Sequence, residues 1–274
     1  MILVRCLIGT VITTVALLGQ QRPIDWQLPN LPFRLSVQVR NPGTNKVSGL
    51  ARVPAAEARN IAPGFPGRVC FALLVARDAA ATPPATFVPS QTIDLDADGT
   101  ADEFVFPVEL AAGEQRRIDI YFSVALGDTV TYPQRVNAKH SYGYNRQVAA
   151  LESELIGYRT YGGFFLDFMG RSAGHMGLNN DLAGYVSVRR DLGVGRDVFH
   201  IGSTLGLGGV FLRRGDQVWQ PPMNVPDYAH KPSPDAVPHY RVVTQGPLRA
   251  IVETTLDNWV VDGDTFRLRA LYSI

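Results

Sequence analysis

The segment from Glu152 to Gly209 holds the residues most able to do chemistry, because charged and aromatic side chains alternate there with glycines. Asp167 lies inside the apolar run FFLDFMG, where a carboxylate is costly to bury unless it is paired or functional. Glu152 and Glu154 stand two residues apart, and paired carboxylates can act as general acid and general base. With His200, a candidate proton carrier, these residues are the predicted catalytic set of a polar pocket.

Arg159 and Tyr161 are predicted to bind substrate in the same pocket. On a strand they share one face, and a guanidinium beside an aromatic ring suits the carboxylate of a sugar acid. His140, Tyr142 and Tyr144 form an aromatic cluster in KHSYGYNRQ, and their flat rings can stack on sugar faces. The alternatives are structural. The charged residues could form an ion pair at a strand edge, and His200 could be a core residue with its hydrogen bonds satisfied.

A run of aspartates, DLDADGTADE, resembles the first half of a calcium-binding loop. Asp94, Asp96 and Asp98 alternate before a glycine, and Asp102 adds oxygen for a hard cation that takes roughly six to eight ligands. The position where such a loop has a glutamate is Val105. We expect a structural calcium site at these four aspartates, with a solvated turn as the alternative. No phosphate-binding or dinucleotide motif occurs, so no organic cofactor is expected.

The composition limits the possible partners and location. The 274 residues are 46% hydrophobic, with 26 basic and 25 acidic side chains and no basic stripe, so nucleic acid is not an expected partner. Segment 1–22 has one early charge and then an apolar run, and is predicted to be a secretory signal of a secreted or periplasmic protein. The apolar run from Cys6 to Leu18 is shorter than the about 20 residues of a membrane span.

Short apolar runs with a period of two, separated by Gly and Pro turns, predict an all-β protein. We expect an N-terminal β-sandwich domain at 27–126, an interdomain segment at 127–150 and a second β-sandwich domain at 151–274. Because the chain stops at a strand, the second domain is expected to be incomplete. A short helix or loop is expected at 55–62. Strands are predicted at 33–40, 68–76, 103–110, 116–126, 155–161, 184–189, 208–213, 240–244, 248–256 and 265–274.

Three of these segments, ALESELIGYRTYGGFFLDFMGR, GRDVFHIGSTLGLGG and GPLRAIVETTLDNW, resemble secreted bacterial proteins of the domain-of-unknown-function family 4861. The earlier VPSQTIDLDADGTADEFVFPVEL resembles the N-terminal part of that family. The resemblance implies a large β-sandwich related to the mutarotase-like supersandwich, in proteins associated with polysaccharide degradation. It departs at Arg171, where a lysine is expected. The resemblance implies that the motif positions of the family correspond in this sequence to Glu152, Glu154, Arg159, Tyr161, Asp167, Gly202, Gly206, Gly208 and Gly209.

The residues and the resemblance together favour a secreted carbohydrate-active protein. Its partner would be an oligo- or polysaccharide containing uronic acid, cleaved by hydrolysis or by elimination. The alternative is a noncatalytic carbohydrate-binding protein, or a β-sandwich in which calcium has a purely structural role. An enclosed pocket with two carboxylates favours the enzyme, whereas a flat aromatic platform favours binding alone.

Overall fold

The computed structural model describes residues 28, 30–65, 70–75, 86–124, 132–141, 148–161, 164–170, 196–197, 209–221 and 238–274. The predicted signal at 1–22 and the predicted strand at 184–189 lie outside these residues. The chain divides into two compact units, residues 1–133 and 134–274. Within the described residues the secondary structure is almost entirely strand, with one short helix, which confirms the all-β prediction.

The first unit contains two antiparallel sheets. Its elements are β1 (Phe33–Arg40), β2 (Val47–Pro54), α1 (Ala56–Ile61), β3 (Cys70–Val75), β4 (Thr86–Val88), β5 (Gln91–Ile93), β6 (Glu103–Leu110) and β7 (Gln115–Phe122). Among the described strands, one sheet has the order β1-β7-β3-β4 and the other β2-β6-β5.

The core between these sheets follows from the alternation of the strand sequences. Leu35 and Val37 of β1 are buried in the same cluster as Phe104 of β6 and Ile120 of β7. Side chains on alternate positions of a strand share one face, so each strand contributes every second residue. Burial of each large apolar side chain contributes about 1.5–3 kcal/mol. The unit is therefore a β-sandwich held by one shared core.

The other face of the β1–β7 pair carries a buried ion-pair cluster around Asp119. Ser36 Oγ donates a hydrogen bond of 2.6 Å to Oδ1 of this fully buried aspartate. Arg117 donates to both carboxylate oxygens at 2.8 Å, and Arg34 Nη1 lies 3.7 Å from Oδ2. Because burying a lone carboxylate is costly, these neighbours make the charge tolerable here.

The second unit contains a larger sheet, a smaller sheet and a hairpin. The strands are β8 (Val136–Ser141), β9 (Val148–Ser153), β10 (Ile156–Tyr161), β11 (Phe165–Gly170), β12 (Arg196–Asp197), β13 (Leu212–Arg214), β14 (Gln217–Trp219), β15 (His239–Thr244), β16 (Ile251–Val261) and β17 (Asp264–Ser273). The larger sheet has the described order β12-β11-β10-β9-β8, the smaller one β15-β16-β17, and β13 pairs with β14.

The larger and smaller sheets of this unit pack on one another through a common core. Ala138 and Leu151 of the larger sheet are buried together with Tyr240 and Val252 of the smaller one. Strands β8 and β9 fall inside segment 127–150 or begin there, so this segment, expected to lie between domains, contributes to the second unit's sheet. The polar run KHSYGYNRQ masked the alternation of β8 in the sequence.

The outer face of the smaller sheet is tied by an ionic cluster at Glu253. Arg241 donates from Nε to Glu253 Oε2 at 2.8 Å, and Arg269 donates from Nε to Oε1. Burial alone would raise the pKa of this carboxyl, but the hydrogen bonds from Arg269 and Arg241 outweigh it and hold the pKa below 4.5, its ordinary value. The cluster joins all three strands, since the two arginines lie on β15 and β17.

We expect Glu253→Gln to lower the free energy of unfolding by about 1–3 kcal/mol at pH 7, because it removes charged hydrogen bonds from a buried acceptor. The folded-state pKa is depressed, so this contribution is present above the unfolded-state pKa and is lost as the pH falls through the folded-state value. Urea denaturation of parent and variant from pH 7 to pH 3 measures the difference. If the difference in unfolding free energy between parent and variant grew as the pH fell, it would contradict the role assigned to Glu253. Asp216→Asn, at an exposed carboxylate, is the control.

Two buried threonines of this unit differ in their hydrogen bonding. Thr254 Oγ1 has no hydrogen-bond partner among the described residues, whereas Thr160 Oγ1 accepts from Ala149 N–H at 3.2 Å and lies 3.3 Å from Ala149 O. Thr254→Val removes an unmet hydroxyl without changing shape, so it should leave stability unchanged or raise it. Thr160→Val removes hydrogen bonds and should cost about 1 kcal/mol. Thermal denaturation compares them, and equal losses would contradict this account.

Candidate functional site

The larger sheet of the second unit has two chemically different faces. Ala138, Leu151 and Tyr158 form one cross-strand row, which packs on the smaller sheet. Asn137 and Glu152 form the adjacent row, directly opposite each other on β8 and β9. Since neighbouring residues of a strand point to opposite sides, the second row lies on the other side of the sheet. We call that side, which carries Asn137, Lys139, Glu152 and Arg159, the polar face.

The polar face is largely buried. Asn137 is 1% exposed, Glu152 0% and Arg159 4%, while Lys139 is half-buried. A sheet that faces water on its second side would leave such residues in solvent. Removing a carboxylate and a guanidinium from water costs several kcal/mol per ion before any partner is found. Buried charged residues of this kind occur at enclosed functional sites and in structural ion pairs.

The strand register brings three charged positions onto neighbouring strands of the polar face, with Glu152 offset by two residues from the pair formed by Arg159 and Asp167. Arg159 on β10 lies directly opposite Asp167 on β11, and Glu152 lies on β9 at the other side of β10. The backbone positions of the two acids are two strand spacings apart across the sheet and two residues apart along it, about 12 Å in all. The position of Arg159 thus lies on the strand between the two strands that carry the acidic positions.

Small residues occupy the spaces between the charged ones. Gly157 lies directly opposite Glu152, and Ala150 lies directly opposite Arg159. Both are on the central strands of the polar face, and a glycine inside a strand commonly marks the close approach of a ligand or another backbone. The surface between the charged side chains is therefore free of bulky groups contributed by β9 and β10.

Two predicted residues are separated from this face. Strand β9 ends at Ser153, so Glu154 lies in the following turn, where its Oε2 accepts a hydrogen bond of 2.8 Å from Arg135 Nη2. That hydrogen bond, with the charge of Arg135, holds the pKa of the Glu154 carboxyl below its ordinary value. His140 is paired with Ala149 in the row that includes Thr160, so alternation assigns it to the face packed on the smaller sheet.

The remaining predicted residues are described only partly. Tyr161 pairs with Val148 and Phe165, and its position in β10, two residues beyond Arg159, is in register with the polar face. His200, Tyr142 and Tyr144 lie outside the described residues. Sequence inspection missed Asn137 and Lys139, whose period-two spacing with the apolar Val136 and Ala138 was the available indication.

The aspartate loop connects β5 to β6 in the first unit. One carboxylate oxygen from each of Asp94, Asp96 and Asp102 lies within 4.8 Å of the others, and Asp98 is outside this group. Asp94 also accepts the backbone N–H groups of Ala97 at 2.6 Å and Gly99 at 2.9 Å. Burial acts to raise the pKa of Asp94, but these N–H groups outweigh it and lower the pKa. The arrangement offers several anionic oxygens to a hard cation.

The fold and the site define a class of protein: an all-β chain of two units, one sheet of which has a buried polar face. None of the helices in the described parts of the chain is long and apolar enough to cross a membrane. The chain belongs to the family described as Domain of unknown function (DUF4861), whose model matches residues 74–274. No curated protein matches the chain, and neither does any solved structure.

Proposed function

We propose that the protein is a secreted or periplasmic carbohydrate-active enzyme that acts on oligosaccharides containing uronic acid at the polar face. The observation that supports this best is the burial of Glu152 and Arg159 on one face, with Asp167 directly opposite Arg159 in the strand register. The N-terminal segment 1–22, with its early charge and apolar run, supports export.

Three charged residues, Arg159, Glu152 and Asp167, have roles that suit their chemistry. Arg159 can hold the uronate carboxylate with two parallel hydrogen bonds and stabilise charge that develops there. Glu152 and Asp167 are the acid and base candidates. In hydrolysis one would protonate the glycosidic oxygen while the other activates water. In elimination a base would remove the proton beside the carboxyl group as the glycosidic oxygen leaves.

A comparison of Glu152→Gln with Glu154→Gln tests this function. The two substitutions are chemically identical and two residues apart, but Glu152 is buried on the polar face and Glu154 is exposed in a turn. Turnover of uronic-acid oligosaccharides, followed by reducing ends and by absorbance of unsaturated products, should fall about 10²–10⁴-fold in Glu152→Gln alone. Circular dichroism checks folding.

Equal turnover in the parent protein and both variants would exclude Glu152 as a proton carrier. Binding of the same oligosaccharides without turnover by the parent protein would favour the noncatalytic alternative, in which the polar face only holds a glycan.

We also propose that Asp94, Asp96 and Asp102 bind structural calcium in the first unit. An ion that binds only the folded protein stabilises it by about 2.7 kcal/mol at a hundredfold excess over its dissociation constant. Chelation should therefore lower the melting temperature of the parent protein, and Asp96→Asn should abolish this dependence. Asp98→Asn is the matched control and should retain it, since Asp98 lies outside the group of three. An unchanged melting temperature with chelator would remove the calcium assignment.

A further inference from the structure

The side-chain amide of Asn137 is buried, and its oxygen and nitrogen ends differ in their hydrogen bonding. Oδ1 accepts the backbone N–H of Ala138 at 3.0 Å and Gln134 Nε2 at 3.4 Å. A backbone N–H can only donate, so the end that meets it must be the oxygen, which fixes the orientation of the amide. The other end, Nδ2, has no hydrogen-bond partner among the described residues.

A buried donor without an acceptor is unfavourable, and native proteins seldom leave one without a structural or functional reason. Asn137 lies on the polar face, directly opposite Glu152 on the neighbouring strand. Directly opposed residues of an antiparallel pair have Cβ atoms about 4.5–5.5 Å apart. An amide that only donates at Nδ2 therefore lies beside a group that, when ionised, only accepts.

A hydroxyl group satisfies both neighbours, because it accepts a hydrogen bond at its oxygen and donates one from its proton. We propose that Asn137 is a ligand-binding residue: its Nδ2 donates to a sugar hydroxyl whose proton is directed to the carboxylate of Glu152. This inference rests on the proposed function and adds a specificity-determining residue to it. The polar face then holds the carboxylate of the sugar acid at Arg159 and a hydroxyl at Asn137.

The geometry of the polar face agrees with two such contacts. Arg159 lies on β10, two strands from β8 and two residues along from the row of Asn137, so the two binding residues are about 12 Å apart at the backbone. Gly157, opposite Glu152, adds no side chain to the space between them. A ligand with an anionic group at one end and hydroxyls at the other fits this arrangement.

The test measures calorimetric binding of D-galacturonate, D-glucuronate and digalacturonate to the parent protein and to two variants. Asn137→Asp keeps the oxygen that accepts Ala138 N–H, replaces the donor with an acceptor and, when ionised, adds a negative charge. It should weaken binding about tenfold or more, the change expected for one lost ligand contact. Asn45→Asp makes the same chemical change at an exposed position of the first unit and should leave the affinity unchanged.

Unchanged affinity in Asn137→Asp would overturn the inference while the proposed function stands, and an ordered water would then be the partner of Nδ2. Failure of the parent protein to bind any of the three probes would overturn the proposed function and this inference with it. If Asn137→Asp does not fold, an NMR titration of the parent protein provides the test. The side-chain amide resonance of Asn137 should then shift when one of the probes saturates the site. An unshifted resonance overturns the inference.

Discussion

The cost of taking an ionised group out of water constrains this structure more than any other interaction. Apolar burial stabilises each sandwich, but it is non-directional and tolerates exchange among apolar side chains of similar volume. A buried carboxylate or guanidinium, in contrast, requires particular neighbours at particular distances. The larger sheet of the second unit meets this requirement by separating its two faces, one apolar and packed on the smaller sheet, the other polar and enclosed.

Buried charge occurs in two forms in the chain. At Asp119 and Glu253 the carboxylates accept hydrogen bonds from arginines that lie on the same or adjacent strands. Such clusters are complete within the sheet that contains them, and they fix strand register because a shift by one residue would separate the charges. The polar face differs because Asn137 retains an unmet donor beside Glu152. We therefore interpret the complete clusters as structural, and the unmet donor of Asn137 as part of the ligand site that we propose.

The sequence allowed prediction of the fold wherever one face of a strand is apolar and the other polar. Strand β1 and its core residues follow directly from alternation, as do β6 and β17. The polar face was harder to predict, because strands buried on both sides do not show a simple pattern. The two-residue spacing assigns Glu154 and Glu152 to one face of a strand, but the strand ends between them. His140 was grouped with the binding residues, although alternation turns it to the opposite face.

The family match begins at residue 74, inside β3, and therefore leaves out β1, β2, α1 and most of β3. Yet β1 pairs along its whole length with β7, and β2 pairs with β6. A polypeptide cut to the matched region would lose β1, β2, α1 and most of β3, and with them many of the residues buried in the same core as Phe104 and Ile120. Two central strands would become open edges, which are sites of intermolecular pairing and aggregation. The segment that defines the family is thus shorter than the segment that folds.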